Sequence, residues 1–222
     1  MDFKAVIFDL DGTLLDTLED LADSMNCVLE RNRLPQHELA AYKYFVGDGI
    51  DMLVRRALPF EIADDEELNR FIREMKSEYA GRWLLKTRPY PGVPEMLAAF
   101  AKAGFEMAVL SNKPDEASNE IVRALLPNIA FRMVMGATPE RLKKPDPSAA
   151  IEIAALLGIP PKDFIFIGDT SIDMQTACAA GMFPIGVLWG FRPAEELITA
   201  GGKMFFKHPA DLLGWLRSIE KK

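Results

Sequence analysis

Four short apolar runs, each closed by polar or turn-forming residues, constrain this chain more than any other feature. They are Ala5-Val6-Ile7-Phe8, Met107-Ala108-Val109-Leu110, Phe164-Ile165-Phe166-Ile167 and Ile185-Gly186-Val187-Leu188. Apolar runs of this length read as strands covered on both faces. Helix-length amphipathic segments lie among them: Val93 to Ala103, Pro147 to Leu157 and Ser171 to Ala180, followed by Gly104, Gly158 and Gly181 as helix stops. Strand, helix, strand is the pattern of a parallel sheet. The expected fold is therefore α/β, with a doubly wound, mainly parallel Rossmann-like sheet.

One region breaks the alternation. From Asp16 to Leu85 no strand is evident, and three segments read as helices: Asp16 to Arg33, Gly49 to Leu58 and Asp64 to Leu84. Leu68, Phe71, Ile72, Met75 and Tyr79 recur at helical spacing in the last of these. The expected division is a catalytic core of residues 1–15 and 86–222 with an all-helical cap, residues 16–85, inserted after the first strand. A chain of 222 residues is long enough for such a pair.

Charge narrows the partners. With 26 Lys and Arg against 33 Asp and Glu, the net charge is -7, which disfavours nucleic acid. An acidic chain that handles phosphate needs a bound cation to reverse the local field. Two distant cysteines, Cys27 and Cys178, give neither a disulfide framework nor a zinc site. The first apolar run is too short for a secretory signal or a membrane span, so the expectation is a cytoplasmic protein with no membrane partner. His37, His208, Trp83, Trp189 and Trp215 read as packing or contact residues. A monomer and a homodimer both remain open.

Four clusters carry chemistry. Asp9-Leu10-Asp11-Gly12-Thr13 follows the first strand, and carboxylates two residues apart in an extended chain point the same way. Close carboxylates repel unless a proton or a cation separates them, and Mg²⁺ is the natural oxygen-seeking occupant. An acidic pair beside glycine also reads as a simple turn. Gly168-Asp169-Thr170-Ser171-Ile172-Asp173 follows another strand, with Asp169 at its end and Asp173 one helical turn on; the same segment reads as a helix start with Asp169 or Thr170 as N-cap. Ser111-Asn112 offers a hydroxyl and amides to a phosphate oxygen at a strand–helix junction, or forms an ordinary polar loop. Lys143-Lys144-Pro145 offers a cation aimed by a restricted backbone, or a solvated loop charge. Loops that follow strands of one sheet converge, and together these groups suit a metal-assisted phosphate site.

The order Asp9-Leu10-Asp11-Gly12-Thr13, Ser111-Asn112, Lys144-Pro145, Gly168-Asp169 and Asp173 resembles the haloacid dehalogenase superfamily over nearly the whole chain. The helical insert is similar to that superfamily's type 1 cap. Asp16-Thr17-Leu18-Glu19-Asp20-Leu21, Val46-Gly47-Asp48-Gly49, Tyr90-Pro91-Gly92-Val93 and Trp189-Gly190-Phe191 are close to the patterns of its bacterial phosphoglycolate phosphatase branch, which often has Asn where Asp48 stands. The resemblance implies a Mg²⁺-dependent phosphatase acting on a small phosphorylated metabolite through an aspartyl-phosphate. It implies Asp9 as nucleophile and Asp11 as general acid and base. The metal falls to Asp9, the Asp11 carbonyl and Asp169, with Asp173 orienting the site. Ser111, Asn112 and Lys144 hold the phosphoryl oxygens, with Lys143 a possible substitute for Lys144. Candidate cap contacts to the leaving group are Asp48, Arg55 and Arg56, since arginine suits a carboxylate.

Rival readings are a sugar phosphomutase or pyrophosphatase of the same superfamily, a dehalogenase, and a non-enzymatic phospho-receiver module. A dehalogenase has no use for Asp11 as acid, and a receiver lacks both the helical insert and an acid placed to activate water. Phosphoglycolate is the favoured substrate; pyrophosphate, a sugar phosphate and a nucleotide monophosphate also remain open.

Overall fold

A computed structural model describes residues 3–59 and 65–219. In chain order the elements are β1 (Ala5–Phe8), β2 (Leu15–Asp16), α1 (Leu18–Arg31), α2 (Leu39–Phe45), α3 (Ile50–Ala57), α4 (Asp65–Ala80), β3 (Arg88–Pro89), α5 (Val93–Lys102), β4 (Glu106–Pro114) and α6 (Asp115–Leu125). There follow β5 (Met133–Ala137), α7 (Ser148–Leu157), β6 (Phe164–Gly168), α8 (Ser171–Ala180), β7 (Phe183–Val187), α9 (Ala194–Thr199), β8 (Met204–Phe206) and α10 (Pro209–Ile219). The chain divides into two compact units, one of Met1–Leu15 with Pro89–Lys222, the other of Asp16–Arg88.

The larger unit is built on a six-stranded sheet in the order β5-β4-β1-β6-β7-β8, parallel throughout. Both faces of β1 are buried, as its unbroken apolar sequence requires. Ile7 packs with Ala108, Phe166, Ile153 of α7 and Ala177 of α8 on one face. Its neighbour Phe8 turns to the opposite face and meets Phe100 of α5 edge to face, with ring centroids 5.5 Å apart. Each such large side chain contributes about 1.5–3 kcal/mol by leaving water. After β1 the chain builds outward to β4 and β5, then returns to lay β6, β7 and β8 on the other side. The carboxyl ends of β1, β4 and β6 therefore flank the point where strand order reverses, the place where such sheets bind ligands.

The smaller unit is helical. Its buried stripes are Leu18, Leu21, Met25, Val28 and Leu29 on α1, and Leu68, Phe71, Ile72, Met75 and Tyr79 on α4, and these two helices pack together. Asp20 on α1 is 1% exposed. Its carboxylate accepts the backbone N–H groups of Lys86 (3.0 Å) and Thr87 (2.8 Å) and the Thr87 hydroxyl (2.8 Å). One acidic side chain thus fastens the segment that leads into β3 to the first helix.

The structure departs from the sequence expectations in several places. The 16–85 region is not wholly strand-free, because Leu15–Asp16 and Arg88–Pro89 form a separate two-stranded ribbon, and α1 begins only at Leu18. Helix α2 goes unannounced: of its seven residues only Tyr42 is buried, so no apolar stripe marks it. Helix α4 stops at Ala80 rather than Leu84, where Gly81 breaks the periodic run; Asp64 lies outside the described residues. Strand β4 continues to Pro114, so Ser111 and Asn112 sit in the strand rather than after it. Their polar side chains end the apolar run without ending the sheet, because each finds a partner inside the fold.

Candidate active site

Register brings the candidate side chains together. Phe8 pairs with Val109 on one side and Ile167 on the other. The next residue, Asp9, donates its N–H to the Ile167 carbonyl at 2.9 Å, so its side chain leaves the sheet beside the end of β6. A tight turn follows, with the N–H groups of Leu14 and Leu15 on the Leu10 carbonyl (3.0 and 2.9 Å) and that of Gly12 on Leu15 (2.8 Å). Gly12 has φ +88°, and a Cβ there would strike the Asp169 carboxylate and lie 2.8 Å from the Phe191 ring. Only glycine permits both the backbone angle and this approach.

Asp169 is fully buried and held on both oxygens. The Thr13 hydroxyl donates to Oδ1 at 2.9 Å, and the Phe191 N–H donates to Oδ2 at 2.8 Å. The Trp189 indole N–H donates to the Thr13 carbonyl at 3.0 Å, tying the loop after β7 to the loop after β1. Asp173 sits at the third position of α8 and accepts the Thr170 N–H (3.0 Å) and hydroxyl (2.7 Å) on Oδ2. It is thus the acidic half of a capping box, and its Oδ1 faces Lys144. Thr170 is thus the N-cap, and the same segment brings Asp169 and Asp173 beside Asp9.

Lys144 is 5% exposed, whereas Lys143 is exposed. Its ammonium donates to Asp9 Oδ1 at 2.7 Å and to Asp173 Oδ1 at 2.6 Å. The Asn112 side chain fixes the backbone behind it: Nδ2 donates to the Lys144 carbonyl (3.0 Å) and Oδ1 accepts the Lys144 N–H (2.8 Å). This clamp is a role for Asn112 that the sequence did not suggest. Ser111 is 4% exposed, and its hydroxyl oxygen accepts the Lys113 N–H at 3.2 Å.

The carboxylates of Asp9, Asp169 and Asp173 each bring an oxygen within 4.8 Å of the others. The Asp11 carboxylate stands apart from that group and faces the ammonium of Lys113 at 3.2 Å. Burial, reinforced by the charge of Asp173, pushes Asp9 well above the usual carboxylate range. The same causes push Asp169 up to about 7. Burial pulls Lys144 down, but the charges of Asp173 and Asp9 outweigh it and hold the ammonium protonated. With all three deprotonated, Asp9, Asp169 and Asp173 face the Lys144 ammonium, which leaves the group two positive charges short. An oxygen-only donor set with that deficit fits a hard divalent cation.

Asp48, Arg55 and Arg56 belong to the smaller unit. Asp48 and Arg56 form an ion pair, and Arg56 also donates to the Phe45 carbonyl at 3.0 Å. Arg55 is exposed and reaches Asp65 at 4.0 Å. The sequence reading passed over Lys113. Its one available signal is that it extends the polar stretch Ser111-Asn112 at the end of an apolar run.

A doubly wound parallel sheet with a buried acid–lysine cluster at its switch point is the architecture of an α/β enzyme. A family model described as haloacid dehalogenase-like hydrolase matches residues 6–187, and the chain belongs to that family of hydrolases. Among curated relatives, phosphoglycolate phosphatase of Pseudomonas putida is 35% identical over 198 residues, covering 87% of this chain and 72% of that one. Phosphoglycolate phosphatase of Mesorhizobium japonicum is 35% identical over 193 residues, covering 86% and 85%. A crystal structure described as a predicted phosphoglycolate phosphatase from Haemophilus somnus 129PT superposes with a TM-score of 0.89 at 29% identity, covering 97% of this chain and 98% of that one.

Proposed function

We propose that this protein is a Mg²⁺-dependent phosphatase that cleaves a small phosphate monoester through an aspartyl-phosphate on Asp9, with 2-phosphoglycolate the favoured substrate. The observation that carries the reading is the placing of Asp9: its carboxylate lies beside a fixed ammonium and two further buried carboxylates at the mouth of the sheet. The names of the relatives support the substrate.

Asp9, Asp169 and the Asp11 main-chain carbonyl would hold the cation, with Asp173 orienting them. When bound, Mg²⁺ supplies positive charge that offsets the repulsion between a carboxylate and a phosphate dianion. An Asp9 oxygen attacks phosphorus, an O–P bond forms, and the bond from phosphorus to the leaving oxygen breaks. Asp11 gives that oxygen its proton, then takes one from the water that attacks the phosphorylated Asp9. The second attack breaks the Asp9 O–P bond and releases inorganic phosphate. Such acid–base help contributes about 10²–10⁴-fold. Lys144 and the Ser111 hydroxyl stabilise charge on the transferring oxygens.

The test is rapid acid quenching during turnover of 2-phosphoglycolate with Mg²⁺. The expected result is a hydroxylamine-labile acyl phosphate that maps to Asp9. Turnover with no phosphoprotein under conditions of chemical saturation would overturn the nucleophile; no turnover on any small phosphate monoester would overturn the activity.

A further inference from the structure

We propose that Glu196 is a positioning residue for the cation site: its carboxylate ties together the two backbone segments that hold Asp169, and so sets how tightly Mg²⁺ binds. The inference rests on the metal-dependent reading above and deepens it, adding a residue that stands outside the group of three carboxylates.

Glu196 lies in the first turn of α9 and uses both of its carboxylate oxygens. Oε1 accepts the Ser171 hydroxyl at 2.6 Å and the Ser171 N–H at 3.3 Å. Oε2 faces the Arg192 guanidinium, with Nε at 3.3 Å. Ser171 opens α8 two positions after Asp169. Arg192 directly follows Phe191, whose N–H donates to Asp169 Oδ2 at 2.8 Å. These contacts close a ring. Asp169, Thr170 and Ser171 form one side, and Phe191, Arg192 and Glu196 the other. The Phe191 N–H joins the sides at Asp169, and the Glu196 carboxylate joins them at Ser171. The ring has little slack: a Cβ on Gly190 would strike the Asp169 side chain and the Gly12 carbonyl, so the loop that carries Phe191 lies against Asp169.

A cation senses this ring through Asp169. Two donors hold that carboxylate, Thr13 on Oδ1 and Phe191 on Oδ2, and together they fix its plane. A carboxylate fixed in advance needs no reordering when it takes up a cation. Without Glu196 the Phe191 segment and the start of α8 lose this side-chain link. The Phe191 N–H then leaves Asp169 part of the time, and the carboxylate is free to turn. Binding must order it again, so affinity falls. Partners that orient a metal ligand typically contribute about 10- to 100-fold in affinity. Glu196 acts one bond further out, so the lower figure applies. Its negative charge also attracts a cation through space. Glutamine in its place removes the charge and keeps an acceptor for Ser171, whereas alanine removes both.

Isothermal titration calorimetry of Mg²⁺ into the whole metal-free protein at pH 8 reads Kd without turnover. Glu196→Ala is expected to weaken binding about 10-fold. Glu196→Gln is expected to weaken it by about 3-fold or less, the share of a part-exposed, screened charge. Ser171→Ala, which deletes the shorter bond to Glu196, falls between them, and adding it to Glu196→Ala weakens binding no further. Amide hydrogen exchange in EDTA gives a second readout: Phe191 loses protection in Glu196→Ala while the amides of β1 and β6 keep theirs. Equal Kd for wild type and Glu196→Ala overturns the proposal. Equal weakening by the glutamine and alanine variants overturns it as well, because charge alone then accounts for the effect. A loss of protection shared by β1 and β6 means that Glu196 serves overall stability, which also overturns it. Should Glu196→Ala not accumulate as folded protein, Ser171→Ala carries the comparison, and a Kd equal to wild type overturns the proposal. Asp169→Asn separates the two readings: if wild type binds Mg²⁺ no more tightly than this variant, the cation site itself fails, and this inference with it.

Discussion

The ammonium of Lys144 stands 2.7 Å from the carboxylate of Asp9, although 135 positions separate the two residues in the chain. The same ammonium reaches Asp173 at 2.6 Å. One buried cation thus joins the loop after β1 and the first turn of α8 to the loop before α7. It orders the proposed nucleophile and lowers the mutual repulsion of two carboxylates that burial has already raised in energy. Asn112 extends the arrangement to β4 by holding the Lys144 backbone on both its N–H and its carbonyl.

Replacing Lys144 with methionine keeps most of its volume and deletes the charge. Two buried carboxylates then lose their counter-ion, a situation that typically costs about 3–5 kcal/mol. The expected loss, measured by urea unfolding at pH 8 in EDTA, lies at the lower end of that range, because Asp9 can escape by taking up a proton. At pH 5 the loss shrinks further for the same reason. Turnover falls by at least about 10²-fold, the usual effect of removing a group that stabilises developing charge. A Lys144→Met variant with wild-type stability at pH 8 would show that the ammonium does not compensate these acids.

Asp9→Asn separates chemistry from folding. The amide cannot attack phosphorus, so turnover falls by at least about 10⁴-fold. Stability in EDTA moves the other way or stays constant, because burial and the charge of Asp173 disfavour the Asp9 carboxylate in the folded state. Thermal unfolding of both proteins in EDTA at pH 8 checks this. A variant several degrees less stable than wild type would mean that the Asp9 carboxylate contributes to folding through its bond to Lys144 more than repulsion takes away.

The uneven legibility of the fold has physical causes. Strands β1 and β6 announce themselves because both faces are buried and every residue is apolar. Strand β8 is three half-buried residues at the sheet edge, and β5 ends in Gly136-Ala137, so neither carries that pattern. Asp9 and Asp169 stand out because each closes an apolar run with a carboxylate, and Asp173 because it follows Asp169 by one helical turn. Lys113 does not stand out, because a lysine in a sequence is solvated by default, and Lys144 does so only through its neighbour Pro145 and its place in the order of motifs. Only tertiary structure reveals that both are under 10% exposed and paired with acids. The hydrogen bonds of Thr13 and Phe191 to Asp169 span 156 and 22 positions, and no local pattern encodes them.

Asp20 gives a prediction for the helical unit alone. Its carboxylate serves the N–H groups of Lys86 and Thr87 and the Thr87 hydroxyl, with Thr87 3% exposed. Asp20→Ala leaves those donors without their acceptor in a place water reaches poorly. Hydrogen bonds to a charged group contribute about 1.5–3 kcal/mol, so a loss of about 2–4 kcal/mol is expected for the group of three. Asp20→Asn retains an acceptor and should lose about half as much. Urea unfolding of the three proteins orders them; equal stability of wild type and Asp20→Ala would show that the segment leading into β3 is held by packing alone.

Divalent cation and protons compete for the same carboxylates, which fixes the sign of a pH effect. Burial and the charge of Asp173 push Asp169 up to about 7, and Asp9 moves in the same direction. An unfolded aspartate titrates near about 3.9. Between about pH 4 and pH 7 the folded, cation-free protein therefore holds protons that the unfolded chain has released, and its stability falls as pH rises through that window. A cation needs the deprotonated carboxylates, so it binds more tightly above the window than within it. The expected outcome is that Mg²⁺ raises Tm over EDTA at pH 8 and that the increment shrinks steadily down to pH 5.5. Differential scanning calorimetry at matched ionic strength measures it, with Asp169→Asn as the control in which the increment is lost. An increment of equal size at both pH values would mean that Mg²⁺ binds somewhere other than among Asp9, Asp169 and Asp173.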